Sequence, residues 1–92
     1  MRNAEFEWDD AKAAFNLRKH GISFVAAQRV FDDENASAVD DFDSSADEDR
    51  YLITGIVGAN FVTVSYTLRD NRVRIISARP ATKREKDGYY RI

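Results

Sequence analysis

Residues Phe61–Arg79, FVTVSYTLRDNRVRIISAR, decide the fold. Apolar and polar side chains alternate from Phe61 to Leu68 and again from Arg72 to Arg79, the period of a half-buried strand. Asp70-Asn71 between them is tight-turn chemistry, because Asn and Asp tolerate positive φ. A two-residue loop there makes Arg69 and Arg72 opposite partners. Counting outward pairs Leu68 with Val73, Tyr66 with Ile75, Val64 with Ser77 and Val62 with Arg79 on one face. Thr67 with Arg74, Ser65 with Ile76 and Thr63 with Ala78 then share the other. The first face reads as core and the second as a hydroxyl-rich, solvated or ligand-facing surface. Arg79 sits awkwardly at the end of the core face, beside Pro80.

Working outward, Tyr51, Ile53, Gly55 and Val57 give a preceding strand with period two, and Gly58-Ala59-Asn60 supplies its turn. Before that, a short Ala36–Phe42 strand and a polar Asp43–Asp49 loop are expected. Further towards the N-terminus, Phe6 and Trp8 alternate with Glu5 and Glu7, a short strand. A helix follows from Ala11 to about Lys19, capped by Asp9 or Asp10 and ended by Gly21. Ser23 can cap a second helix, Phe24 to Phe31, with Phe24, Ala27, Val30 and Phe31 on one face. After Pro80, Ala81–Asp87 is expected to form a short helix before Gly88. The order β-α-α-β-β-β-β-α predicts an α+β domain, with the two N-terminal helices packed on an antiparallel sheet meander and a short C-terminal helix.

Ninety-two residues, 43% hydrophobic and 33% charged, suit one core, so residues 1–92 are read as a single domain. The absence of cysteine excludes disulfides and thiolate chemistry, and with a single His it argues against a catalytic zinc site. No cofactor is expected. The uncharged run Tyr51–Leu68 is broken by glycines and hydroxyls, unlike a membrane span. The first residues lack the apolar region of a signal peptide, so a cytoplasmic location is expected.

The net charge of −2 is unevenly spread. Residues 32–50 carry nine acids against Arg50, whereas residues 61–92 carry eight Lys or Arg against three acids. A domain-wide grip on nucleic acid would need a basic total, so any RNA contact should be short and local.

Four clusters could handle phosphate. Lys19-His20-Gly21 ends the first helix, where cations also simply complement the dipole. Glu48-Asp49-Arg50-Tyr51 enters a strand, either as a solvated loop or with Arg50 over the open sheet face. Arg74, Arg79 and Lys83-Arg84-Glu85 carry the strongest signal, since the guanidinium fork matches phosphate oxygens. Their alternative is pairing with the acidic 32–49 segment. Tyr89-Tyr90 could stack on a base or merely pack. No glycine-rich phosphate loop, Ser/His/Asp order or metal-ligand spacing is present.

In this order, Phe6-Glu7-Trp8-Asp9, Asn16, Lys19-His20-Gly21-Ile22-Ser23-Phe24, Val30-Phe31, Glu48-Asp49-Arg50-Tyr51 with Gly55, and Arg74 to Glu85 resemble a BrnT-type toxin. The resemblance spans Phe6 to about Tyr90. It implies a RelE-like fold, a ribonuclease that halts translation in a bacterial type II toxin–antitoxin system, and a BrnA-type antitoxin of the ribbon-helix-helix class. Operator DNA would be met only through that antitoxin, and a ribosome could present the RNA. Lys19, Arg50, Arg79 and Lys83-Arg84-Glu85 would belong to the active surface. Pro80 and Asp49 depart from the expected pattern.

On this reading Arg79 and Arg50 clamp the scissile phosphate, Glu48 or Glu85 is the base, and Lys19 or His20 is the acid. Arg74, Lys83, Arg84 and Tyr89 would bind RNA. The alternatives are a non-catalytic antitoxin-binding domain and a short-RNA phosphate-binding module, neither of which would cut RNA.

Overall fold

A computed structural model describes residues 1–41 and 48–91 of the chain. Most of the expected Asp43–Asp49 loop, and Phe42, lie outside the described residues. The elements run β1 (Phe6–Glu7), α1 (Asp10–His20), α2 (Phe24–Ala27), a 3₁₀ segment (Gln28–Asp32), β2 (Ser37–Asp40), β3 (Tyr51–Val57), β4 (Asn60–Arg69), β5 (Arg72–Pro80) and α3 (Lys83–Tyr90). The strands form one sheet in the order β1-β5-β4-β3-β2. β2 to β5 pair antiparallel as expected, but β1 runs parallel to β5, so the sheet is mixed.

The helix termini follow their local chemistry. The Asp9 carboxylate accepts from Lys12 N–H, and Gly21 closes α1 at φ 71°. Ser23 caps α2 by accepting from Ala26 N–H. The expected single helix Phe24–Phe31 instead tightens after Ala27 into the 3₁₀ segment. Three residues per turn set Ala27 and Val30 in line, and both are completely buried against the sheet.

The core lies between this helical layer and one sheet face: Trp8, Phe24, Ala27, Val30, Ile53, Val62, Val64, Ile75 and Ala78. Trp8 meets Phe24 edge to face at 5.8 Å. Asn16, on the inner side of α1, is buried and replaces a strand. β1 covers β5 only at Val73 and Arg74, so the edge further along would leave polar backbone groups bare. There the Asn16 amide donates to Ala78 O at 2.8 Å and accepts from Ala78 N–H at 3.0 Å.

The β4–β5 hairpin turns at Asp70 and Asn71, with φ of 53° and 62°. Its register follows the expected pairs from Arg69–Arg72 to Tyr66–Ile75, then shifts by one residue at a β-bulge between Ser65 and Tyr66. Beyond the bulge Ser65 faces Ser77, Val64 faces Ala78 and Thr63 faces Arg79. This corrects the uninterrupted count, which paired Ser65 with Ile76, Thr63 with Ala78 and placed Arg79 opposite Val62 in the core. An extra residue, Ile76, is absorbed, and every later side chain of β5 changes face. Ala78 enters the core, and Arg79 leaves it.

Candidate active site

The sheet face turned away from α1 and α2 carries the chemistry. Strand alternation puts Leu52 and Thr54 of β3, Thr63, Ser65 and Thr67 of β4, and Arg74, Ser77 and Arg79 of β5 on it. Asp41 N–H donates to Arg50 O at 2.9 Å, which extends the β2–β3 ladder past Tyr51. Arg50 therefore falls in the same alternation as Leu52 and Thr54. Thr67 Oγ1 donates to Asp49 O at 2.6 Å and holds the approach to Arg50 against β4.

Arg79 is gripped by the start of α3. Thr82 and Glu85 form a capping box: Glu85 N–H donates to Thr82 Oγ1 at 3.1 Å, and Thr82 N–H donates to Glu85 Oε1 at 2.8 Å. The same carboxylate takes the Arg79 fork, Nη1 to Oε1 at 2.7 Å and Nη2 to Oε2 at 2.9 Å. Thr63 Oγ1 adds a further donor to Oε1 at 2.9 Å. These donors outweigh partial burial and hold the Glu85 carboxyl at a pKa of about 2. Glu85 in turn raises the Arg79 pKa, against the opposing effect of burial, and Asp41 adds to the rise. A guanidinium has five N–H donors, so the two engaged by Glu85 fix its plane without exhausting it.

Glu48 is shared by two arginines, Arg69 Nη2 at 3.2 Å and Arg50 Nε at 3.9 Å. The second contact is too long for a hydrogen bond, and Arg50 Nε is enclosed with no hydrogen-bond partner among the described residues. Arg74 is paired differently: its Nη1 donates to Glu7 Oε2 at 2.7 Å across the β1–β5 step. That hydrogen bond is the main cause lowering the Glu7 pKa.

The remaining expected site residues lie elsewhere. Lys19 is exposed at the end of α1, with its ammonium 5.9 Å from the Phe15 ring. His20 lines a cleft of about 580 Å³ with Asn60, Phe61, Pro80 and Lys86, among others, and neither Arg50 nor Arg79 lines it. Lys19 and His20 also line a second cleft with Ile76 and Ser77 of β5, and among the described residues no hydrogen bond or ion pair joins either of them to Arg50 or Arg79. The bulge turns the Arg79 side chain to the sheet face opposite the helical layer that carries them. Lys83 is exposed and pairs only loosely with Asp87 at 3.7 Å, and Arg84 is exposed. Tyr89 packs edge to face on Phe61, and its hydroxyl donates to Asp33 Oδ2 at 2.9 Å. That pins the phenol in place as a fastening of α3 rather than a free stacking platform.

Sequence reasoning gave no role to Thr54, Arg69 or Asp33, and put Thr63 on the hydroxyl-rich face without finding its partner Glu85. The Thr82-x-x-Glu85 pattern is a visible signal for the capping box and for a helix starting at Lys83 instead of Ala81. Among the described residues, no three His, Asp or Glu side chains converge as a metal site would require. No helix among them is long and apolar enough to cross a membrane.

The protein is a small α+β domain whose open sheet face presents Arg50, Arg74 and Arg79, the last two hydrogen-bonded to carboxylates. Residues 8–85 match the family model described as ribonuclease toxin, BrnT, of type II toxin-antitoxin system, and the chain belongs to that family. No curated protein matches the chain. Membership makes it a ribonuclease toxin of a type II system, with an antitoxin as partner and RNA as substrate.

Proposed function

We propose that residues 1–92 form a single-domain, metal-independent endoribonuclease that inhibits translation in the cytoplasm and is neutralised by a BrnA-type ribbon-helix-helix antitoxin. The observation that carries the site is the β-bulge, which sets Arg79 on the same sheet face as Arg50. In-line attack of a ribose 2′-OH builds negative charge on the phosphate oxygens, and two guanidinium groups on one face answer that charge. Arg79 is oriented by Glu85, and Arg50 stands 3.9 Å from Glu48 with an enclosed Nε that has no hydrogen-bond partner among the described residues.

The chemistry is a phosphoryl transfer within one RNA strand. The 2′-oxygen–phosphorus bond forms, the phosphorus–5′-oxygen bond breaks, and a cyclic phosphate remains. Of the two carboxylates proposed as base, Glu48 keeps the role. Glu85 accepts four hydrogen bonds and has a pKa of about 2, too low for useful proton abstraction, so it serves as a positioning residue. Glu48 takes the 2′-hydroxyl proton, and water supplies the proton to the departing 5′-oxygen in place of Lys19 or His20. Arg74, Lys83 and Arg84 contact flanking phosphates. With a net charge of −2 the body of the protein does not attract RNA broadly, which favours a substrate presented on the ribosome.

The test is cleavage of total cellular RNA and of ribosome-bound message, in EDTA, by the wild type and by Arg50→Ala. Cleavage by the wild type with a loss of about 10²-fold in the variant is expected. Metal-dependent cleavage, or a fully active folded variant, would overturn the reading.

A further inference from the structure

We propose that Thr63, backed by Thr54, is a positioning residue for the ribonuclease reaction, acting through Glu85 on the Arg79 guanidinium. The proposal rests on the reading of Arg79 as the phosphate clamp.

Thr63 and Thr54 are buried, at 1% and 5% exposure, and stand opposite each other on β4 and β3. Their hydroxyls lie 2.7 Å apart. Glu85 is ionised and can only accept, so the Thr63 hydroxyl proton is committed to Oε1. The hydrogen between the two threonines must then come from Thr54. This gives a one-way chain, with Thr54 donating to Thr63 and Thr63 to Glu85, while Arg79 donates to Glu85 from the other side. Sheet stability alone does not explain it. Two valines would fill nearly the same volume in these strands without burying hydroxyls. The hydroxyl pair instead fixes where Oε1 stands.

Oε1 collects three donors from three places in the chain: Thr63 on β4, Arg79 on β5 and the Thr82 amide at the start of α3. Thr63 is the member rooted in the middle of the sheet. Without it, the carboxylate is held only by the helix terminus and by the arginine it is meant to orient. The register shift that puts Arg79 opposite Thr63 is what lets one carboxylate reach both.

The experiment compares Thr63→Val, Thr63→Ser and Arg79→Ala, measuring RNA cleavage, thermal stability and the Glu85 pKa by carbon-detected NMR. T63V is expected to remain folded while kcat falls about 3- to 30-fold at a nearly unchanged KM, with the Glu85 pKa moving up from about 2. T63S restores the donor, so it should keep kcat and the low pKa even though losing the methyl group lowers stability. Full kcat in T63V, or a fall in both variants that follows their stability, would overturn the proposal while leaving Arg79 in place. An active Arg79→Ala protein would remove the clamp, and the positioning role with it.

Discussion

Thr63 on β4 faces Arg79 on β5, although an unbroken ladder from the Asp70–Asn71 turn would put Ala78 there. That one-residue slip turns Arg79 onto the face shared by Thr54, Thr63 and Arg50. It also brings the guanidinium within 2.7 Å of Glu85 on the first turn of α3. The candidate site follows from a local irregularity more than from the fold at large.

Arg79 should tolerate neither truncation nor a change of cation. Arg79→Ala removes the clamp and leaves the Glu85 carboxylate without its fork, so cleavage should fall by about 10²–10³-fold. Arg79→Lys keeps the charge but cannot make the two parallel hydrogen bonds to Glu85, and should fall nearly as far. Both proteins should stay folded, because the pair is partly exposed, at 34% and 19%. Single-turnover cleavage, alongside circular dichroism of each variant, checks this. A Lys variant with wild-type rate would show that charge alone suffices.

Lys19→Ala and His20→Ala should leave cleavage within about twofold, since among the described residues no hydrogen bond or ion pair joins either side chain to Arg50 or Arg79. A loss of tenfold or more in either variant would return the general acid to the end of α1.

The acid stability of the protein should carry the signature of Glu85. Its folded pKa, about 2, lies below the ordinary 4.5, so the ionised form favours folding. That contribution is complete above pH 4.5 and is lost as the pH falls towards 2. Allowing for solvent screening of a partly exposed pair, it amounts to about 1–2 kcal/mol. Urea midpoints measured between pH 2 and 6 should fall more steeply for the wild type than for Glu85→Gln. Parallel curves would mean that other carboxylates dominate.

Much of the architecture was legible in the sequence because it is set by local chemistry. Asp9, Gly21, Ser23 and the Asp70–Asn71 turn each dictate the backbone beside them, and the alternation in β3, β4 and the first half of β5 names the core. Arg50 and Arg79 were legible as candidates because a guanidinium fork beside or on a strand matches phosphate oxygens. The bulge was not legible, because Arg-Ile-Ile-Ser-Ala-Arg from Arg74 to Arg79 reads equally well in either phase until Ala78 finds Asn16. Nor could the sequence assign the partners of Glu85. A capping box is a local pattern, but its contact with Thr63 spans 22 residues and depends on where α3 lands on the sheet. Lys19 and His20 were legible as the basic end of α1, but which side of the sheet a helix end approaches is set by packing that no local pattern reports.

Gly55 should reject even alanine. A Cβ there would meet Val30 Cγ1 at 3.1 Å, Asp33 Oδ2 at 3.2 Å and Val30 O at 3.3 Å. Asp33 cannot retreat freely, because Oδ2 accepts from Ile56 N–H at 2.8 Å and from the Tyr89 hydroxyl. Gly55→Ala should therefore cost about 1–3 kcal/mol. It should also loosen α3 at its Tyr89 end, seen as faster amide exchange in residues 86–90. Unchanged stability would mean that the 3₁₀ segment can lift from β3 without loss.

Asn16 is the test of how the edge of β5 is closed. Its side chain satisfies both polar backbone groups of Ala78 and also donates to Ile22 O at 3.0 Å, so it ties α1, the link to α2 and β5 together. Asn16→Ala removes all three hydrogen bonds at a site only 4% exposed, and the Ala78 groups have no strand beside them to turn to. At about 1–3 kcal/mol for each buried group left unsatisfied, the loss should be about 3 kcal/mol. For a domain of this size that lowers Tm by about 10–20 °C. Asn16→Asp separates hydrogen bonding from packing. It keeps the volume and can still accept from Ala78 N–H, yet cannot donate to either carbonyl when ionised, and should be at least as damaging at neutral pH. Partial recovery of the Asp variant on acidification, as its carboxyl gains a proton to donate, is the expected outcome in thermal melts. Equal melting of Asn16→Ala and the wild type would mean that water can take over the edge of β5.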